Sequence, residues 1–372
     1  MERLIINPRP DKAAKLESIG LSFHGWDDYW KEDACYRFTS AQVDVIEEAT
    51  ENLHSMCLQA VEHVIKNDRY GQLGIPLHAQ NLIRDSWNSG EKSLYGRFDL
   101  AFDGIGAPKM LEYNADTPTS LLESAVAQWY WLQDCYPHAD QFNSLHERLV
   151  ARWQDLAIQG PLLVASIKDN EEDWVCTHYL IETAIQAGLT ATHINIEDLG
   201  WREADKQFVD LQERPIGNVF KLYPWEWMLR EGFGANVARS STRFIEPVWK
   251  SLLSCKGILP ILWELFEGHP NLLPAYFEPG HLTDFAMKPL YSREGANVVL
   301  QTGQHGIIAS SQGPYGSEGH IYQQLVSMPQ FDGMYPVIGS WVVGDSAAGM
   351  CIREDVSPVT TNMSNFVPHF FE

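Results

Sequence analysis

Residues 96–124 read GRFDLAFDGIGAPKMLEYNADTPTSLLES, and the rest of the chain is best understood from this stretch outward. Apolar and polar side chains alternate on both sides of Asp103-Gly104-Ile105-Gly106-Ala107-Pro108, a cluster of turn formers, so the segment is predicted to fold as a β-hairpin. Side chains two apart in a strand point the same way, and directly opposed residues share a face. With the turn centred between Ile105 and Gly106, Asp99 lies opposite Glu112 and Arg97 opposite Asn114, all on one face. A slip of one residue would send one strand's side chains to the other face, so the grouping depends on the turn centre.

Two carboxylates and an amide oxygen beside a guanidinium suit Mg²⁺, which takes a few hard oxygen ligands and completes its octahedron with water and substrate phosphates. Asp99, Glu112 and Asn114 are therefore the candidate metal ligands. The wet side of an ordinary amphipathic hairpin carries similar residues, and Arg97 could serve there as a plain ion-pair partner. Directly downstream, Asn114-Ala115-Asp116-Thr117-Pro118-Thr119 leads into Ser120-Leu121-Leu122-Glu123, an S-x-x-E capping box ahead of the helical run SAVAQWYWLQD. Free N–H groups at that helix start would face the metal side and could seat a substrate carboxylate, although most capping boxes serve only to start a helix.

Upstream of the hairpin, Val43, Ile46, Leu53, Met56, Cys57, Ala60, Val61 and Val64 recur at helical spacing, which predicts one long amphipathic helix from Ser40 to Lys66. Downstream, LLVASI, WVCTHYLIETAIQAG and TATHINIEDL follow in the order strand, helix, strand between Pro161 and Gly200, a βαβ unit with a parallel strand pair. It contains no G-x-G-x-x-G, so dinucleotide binding is not supported. From Trp249 the pattern becomes one helix (WKSLLSCKGILPILWELF), a Pro-rich turn and short strands separated by glycines. These changes of periodicity place boundaries near residues 155 and 240, within an α/β (α+β) protein.

The 372 residues carry 27 Lys+Arg against 49 Asp+Glu, a net charge of −22, with no basic run. That balance argues against a nucleic-acid partner, whose footprint is a basic patch, and fits a cationic or amine-bearing one. Six cysteines are widely spread, with no C-x-x-C pair, so neither a disulfide framework nor a structural zinc is expected. The opening MERLIINPRPDKAAK lacks a signal peptide's apolar core, and no apolar stretch is long enough to span a bilayer, so a cytoplasmic protein with no membrane association is expected.

The motifs GRFD, EYNADTPTSLLESA, KLYPWEWMLRE, KPLYSREGAN and IGSWVV…GMCIREDVSPVT together resemble the glutathionylspermidine synthase-like ATP-grasp family, in particular stand-alone bacterial members that lack an amidase domain. The resemblance covers essentially the whole chain. It implies an ATP-grasp fold in which ATP phosphorylates a substrate carboxylate and an amine then attacks the acyl phosphate. Asp99, Glu112 and Asn114 precede Lys256 and Lys288, the reverse of most ATP-grasp enzymes, which implies the family's circularly permuted arrangement. The three regions are then 1–155 with the metal-binding hairpin, 156–240 as a βαβ pre-ATP-grasp-like subdomain, and 241–372 as the ATP-binding lobe and return to the core.

By the same resemblance, Asp99, Glu112 and Asn114 hold Mg²⁺ against the ATP phosphates, and Arg97 stabilises charge on the acyl phosphate. Lys256, Lys288 and Arg353 contact phosphates, Arg293 reaches the transferring phosphate from a mobile loop, and Gln324 in Ile321–Leu325 marks the adenine-binding hinge. Such a loop would keep water from an acyl phosphate. Thr117 and Thr119 correspond to hydroxyl residues that hold a glutathione-like acid, and Glu171 and Glu172, after the strand LLVASI, to a glutamate pair that receives a polyamine. An acidic run at a helix start is also what the macrodipole favours. Pro118 departs from the family pattern between the two threonines, which puts the identity of the acid in question. Nothing in residues 1–95 resembles the Cys/His amidase of the bifunctional relatives, so no amidase activity is expected.

Two rival readings fit the same residues. One is an ATP-binding sensor or partner subunit that keeps the fold but performs no ligation. The other is a hydrolase built on Asp99 and Glu112, which leaves Lys256, Lys288 and the Arg293 loop unexplained.

Overall fold

The computed structural model describes residues 1–26 and 29–372. The hairpin forms from strands Tyr95–Ala101 and Lys109–Asn114, one side of a five-stranded antiparallel sheet continued by Tyr335–Val343, Ser346–Asp355 and Asn365–Val367. Its register pairs Arg97 with Asn114 and Asp99 with Glu112, as expected. Toward the turn, Leu100 pairs with Met110 and Leu111 is left extra. The pairing there is centred on Ile105, and the bulge supplies the residue that returns the inner pairs to the expected face. The Asp103 carboxylate organises the turn by accepting from the amides of Ile105 and Gly106 at 2.8 and 2.7 Å.

One face of this sheet is closed by the helix Ser40–Lys66, whose apolar stripe is buried as its spacing predicts. Thr39 and Gln42 start it with a reciprocal capping box, and Thr50 bonds Ser340 of the sheet at 2.6 Å. Phe98 and Leu100 join the core under that helix, so the alternation of the strand turns Arg97 and Asp99 to the other side.

The βαβ unit forms from Leu162–Ser166, the helix Glu171–Gln186 and Ala191–Asn195. Two further parallel strands, Asn218–Lys221 and Arg243–Ile245, complete a four-stranded sheet on the other side of Leu162–Ser166. Their short, continuous apolar runs suit a sheet covered on both faces. Two buried ion pairs join this sheet to the hairpin. Lys221 meets Asp116 at 2.7 Å, and the other oxygen of Asp116 accepts from the Trp225 amide at 2.8 Å. Lys250 meets Glu246 at 2.8 Å, and Glu246 also accepts from the amides of Leu94 and Tyr95. Breaking such a pair strands a charge in the interior, so both fix geometry strongly.

A second five-stranded antiparallel sheet runs in the order Ala275–Tyr276, His320–Gln324, Phe285–Pro289, Val299–Thr302, Gly306–Ser310. The chain ends by pairing His369–Phe371 with Ala34–Phe38, which in turn pairs with Glu2–Ile5. No helix among the described residues is long and apolar enough to cross a membrane, and all six cysteines are free.

Two expectations are corrected. The single helix from Trp249 is two, Ser251–Ser254 and Ile258–Leu265, with Cys255 extended between them. Pro260 lies in the first turn of the second helix and has no N–H to bond the carbonyl of Lys256, so the helix cannot run through. The capping box at Ser120 does not form either. Ser120 adopts a left-handed φ of 70°, and the Glu123 carboxylate is taken by the Tyr29 hydroxyl at 2.7 Å. The helix therefore begins without a side-chain cap and passes through a π-turn at Glu123–Ala127.

Candidate active site

A cavity of about 670 Å³ is lined from both five-stranded sheets and from the segments that follow Leu162–Ser166 and Asn218–Lys221 of the four-stranded one. At one end the hairpin presents its charged face. Arg97 Nε donates to Asp99 Oδ1 at 2.9 Å, and Asn114 Nδ2 lies 3.2 Å from Asp99 Oδ2 and 3.4 Å from Glu112 Oε1. Arg353, from the strand Ser346–Asp355, reaches Asp99 Oδ2 at 3.3 Å. The break in the helix carries Lys256 to within 3.1 Å of Glu112 Oε2 and 2.9 Å of the Ser292 carbonyl. Lys288, on Phe285–Pro289, donates to Gln323 Oε1 at 2.8 Å and to the Leu111 carbonyl at 2.9 Å.

Four cations thus surround two carboxylates in a chain whose net charge is −22. Burial opposes ionisation of Glu112, but Lys256 and Lys288 outweigh it and hold its carboxyl down to about 2. Burial, with Lys256 adding to it, brings the Lys288 ammonium down to about 8 despite Glu112. An anion seated here would relieve the repulsion between the lysines. The converging oxygens of Asp99 and Glu112 suit a hard divalent cation, and a half-turn of the Asn114 amide brings its oxygen to the same point. Among the described residues no group of three His, Cys, Asp or Glu side chains converges.

Arg293 also lines the cavity. Its Nη1 donates to Thr117 Oγ1 at 2.7 Å and its Nη2 to Glu226 Oε1 at 2.9 Å, with the guanidinium 5.5 Å from the centre of the Trp227 ring. Thr119 also lines the cavity, and its carbonyl accepts from Arg97 Nη1 at 3.0 Å. Gln324 lies at the end of the strand His320–Gln324 with an exposed side chain on the cavity wall. The amides of Gln324 and Leu325 are already bonded to the carbonyls of Pro274 and Asp284, so they are not free for a purine.

Another part of the lining is acidic. Asn170 caps the crossover helix by accepting from the Asp173 amide at 3.0 Å, and Glu171, Glu172 and Asp173 in its first turn line the cavity. Glu171 accepts from Ser22. Burial, and then the adjacent Glu172, push the Asp173 carboxyl up to about 7; the same two causes raise Glu294 on the Arg293 loop.

Every candidate site residue except Lys256 lines this cavity; Lys256 lines a chamber of about 30 Å³ beside it and reaches it through Glu112. Sequence reasoning missed Glu226, which anchors Arg293, and Gln323, which orients Lys288 and itself donates to the Met110 carbonyl at 3.0 Å. Glu226 stands in the quoted motif KLYPWEWMLRE and Gln323 directly beside Gln324, so position in a motif was the available signal.

A family model described as glutathionylspermidine synthase preATP-grasp matches residues 3–372. A Haemophilus influenzae protein named "Putative acid--amine ligase" is 44% identical over an alignment of 383 positions, covering 98% of this chain and 97% of that one. Bifunctional glutathionylspermidine synthetase/amidase of Escherichia coli is 28% identical, over 90% of this chain and 58% of its own length. Trypanothione synthetase of Crithidia fasciculata is 28% identical, over 83% and 52%. The chain thus spans little more than half the length of these two. The apo structure of a glutathione synthetase-like effector from Globodera pallida superposes with a TM-score of 0.57 at 10% identity, covering 99% of this chain and 100% of its own, a likeness of fold alone.

Proposed function

The chain belongs to the glutathionylspermidine synthase family of acid–amine ligases, and on that premise we propose an ATP- and Mg²⁺-dependent ligase that activates a carboxylic acid as an acyl phosphate and joins it to an amine. The fold is read as a permuted ATP-grasp, with the parallel-sheet unit as its pre-ATP-grasp-like part. The observation that carries the reading is that one cavity is lined both by an oxygen-ligand face with arginines and lysines bonded around it and by a separate cluster of carboxylates.

In this reading Asp99, Glu112 and Asn114 hold Mg²⁺, which supplies charge neutralisation and orientation of the polyphosphate. Lys256 and Lys288 take the phosphates as point charges, Lys288 being held in place by Gln323. Arg97 and Arg353 lie on either side of Asp99 and face charge that builds on the transferring phosphoryl group and the tetrahedral intermediate. Arg293, held by Glu226 and Thr117, closes the middle of the cavity so that the acyl phosphate meets the amine rather than water. Thr117 and Thr119 seat the acid, and Glu171 and Glu172 receive the amine. A glutathione-like peptide and a polyamine are the corresponding substrate classes.

The test is ADP and phosphate release from Mg-ATP across a panel of acids and amines, with wild type compared to Asn114→Ala and Arg97→Ala. Release that requires both substrates and is lost in the variants supports ligation. Binding of ATP without turnover in any pairing would instead make the protein a sensor, and Mg-ATP at a hundredfold over Kd should then still stabilise it by ~2.7 kcal/mol.

A further inference from the structure

Ligation consumes a neutral amine, yet an alkyl amine enters the acidic end of the cavity as an ammonium ion. Something must take its proton. Tyr29 lines that end, and its hydroxyl donates to Glu123 Oε1 at 2.7 Å while lying 3.3 Å from Ser120 Oγ. Glu123 itself sits behind the wall, 2% exposed, and among the described residues no arginine or lysine is bonded to it. Its backbone is irregular in a way common at functional sites: it opens the π-turn, where the Gln128 amide reaches back to the Glu123 carbonyl, and it follows Ser120 at a left-handed φ of 70°. A buried carboxylate without a cation is costly, and a core residue of similar volume would be cheaper.

The pair is also linked to the chemistry in space. Ser120 follows Thr119, whose carbonyl is held by Arg97. Building on the ligase reading above, we propose that Tyr29 and Glu123 form a proton relay that deprotonates the attacking amine. One ammonium proton passes to Tyr29 Oη as the phenol proton passes to Glu123 Oε1. The freed nitrogen lone pair forms the C–N bond to the acyl carbon, the C–O bond to phosphate breaks with its electron pair leaving on phosphate, and the second N–H proton leaves with that phosphate. Tyr29 touches the amine; Glu123 stores the proton and acts through Tyr29.

The electrostatic setting agrees with this use. Burial pushes the Glu123 carboxyl up to about 7 against the lowering effect of the Tyr29 hydrogen bond. Among the described residues, the charged and titratable groups facing the pair are Glu172 on the crossover helix, which raises both, and Arg97 on the hairpin, which lowers Glu123; Cys176 faces Glu123, Glu172 and Asp173 from the same helix. An acceptor near neutrality is what general-base transfer needs.

The experiment compares wild type, Glu123→Gln and Tyr29→Phe with the acid found by the substrate panel and two nucleophiles, an alkyl amine and hydroxylamine, which is already neutral at pH 7. The relay predicts that amide formation falls about a hundredfold or more in both variants, while hydroxamate formation changes by less than about threefold. It also predicts that the acidic limb of the wild-type pH profile for the alkyl amine disappears in Glu123→Gln. Unchanged amide formation, or equal loss with both nucleophiles, would overturn the relay while leaving the ligase reading intact. Failure of wild type to turn over ATP with any acid and amine overturns the ligase reading itself. Should Glu123→Gln not fold, Tyr29→Phe decides, since it keeps the ring and removes only the hydroxyl.

Discussion

Against burial, Lys256 and Lys288 hold the Glu112 carboxyl down to about 2, whereas at the other end of the same cavity burial and Glu172 push the Asp173 carboxyl up to about 7. The two ends use the same functional group in opposite electrostatic settings. At the hairpin end each carboxylate already has a cation, and cations outnumber carboxylates. At the crossover-helix end, carboxylates crowd one another, and the charge that would settle them is an incoming ammonium.

The comparison breaks most severely if the two ends lose their common frame. Asp116 and Lys221 tie the loop that follows the hairpin to the sheet carrying the acidic helix, and both side chains are fully buried. Lys221→Met leaves Asp116 without its partner and should cost about 3–5 kcal/mol in denaturant unfolding. A loss under about 1 kcal/mol would mean that the ends are held together by something else.

Next come paired substitutions that separate the ends. Asn114→Ala should lower ATP turnover on the order of 10²–10³-fold, the range for removing one preorganised polar group, with the KM for amine unchanged. Glu172→Gln should raise the KM for amine about tenfold, one charge interaction of ~1.4 kcal/mol, with the KM for ATP unchanged. Steady-state kinetics in both substrates checks the pair, and a variant that moves both constants contradicts the separation.

The smallest effect sharpens the comparison through pH. Asp173 keeps its proton in the folded protein up to about 7 but loses it near 3.8 when unfolded, so its contribution is fully present at low pH and is lost as pH rises from about 4 to about 7. Glu112 has the opposite sign: its contribution is present above about 4.5 and is lost as pH falls toward 2. Asp173→Asn should therefore raise Tm by roughly 1–2 °C at pH 8 and leave it unchanged near pH 4. A lower Tm at pH 8 would show that Asp173 is stabilised as an anion.

How much of this was readable beforehand follows from the range of the contacts. The hairpin was legible because turn formers bracket two alternating runs, and its register survived the bulge at Leu111. The βαβ unit and the long helix were legible from period alone. The break between Ser254 and Ile258 is not legible from apolar spacing, although Pro260 carries the signal for it. Ser120 and Glu123 were read as a local capping box because their spacing fits one, and the fold instead gives Glu123 to Tyr29, 94 positions away. Glu226 and Gln323 act on Arg293 and Lys288 across 67 and 35 positions, separations at which no periodicity reports a contact.

The most direct measurement follows the oxygen. With the acid labelled by ¹⁸O in both carboxylate positions and joined to its amine in the presence of Mg-ATP, the account predicts one labelled oxygen in each released phosphate, because the acid's own oxygen becomes the leaving group. Phosphate released without label during amide formation would contradict it.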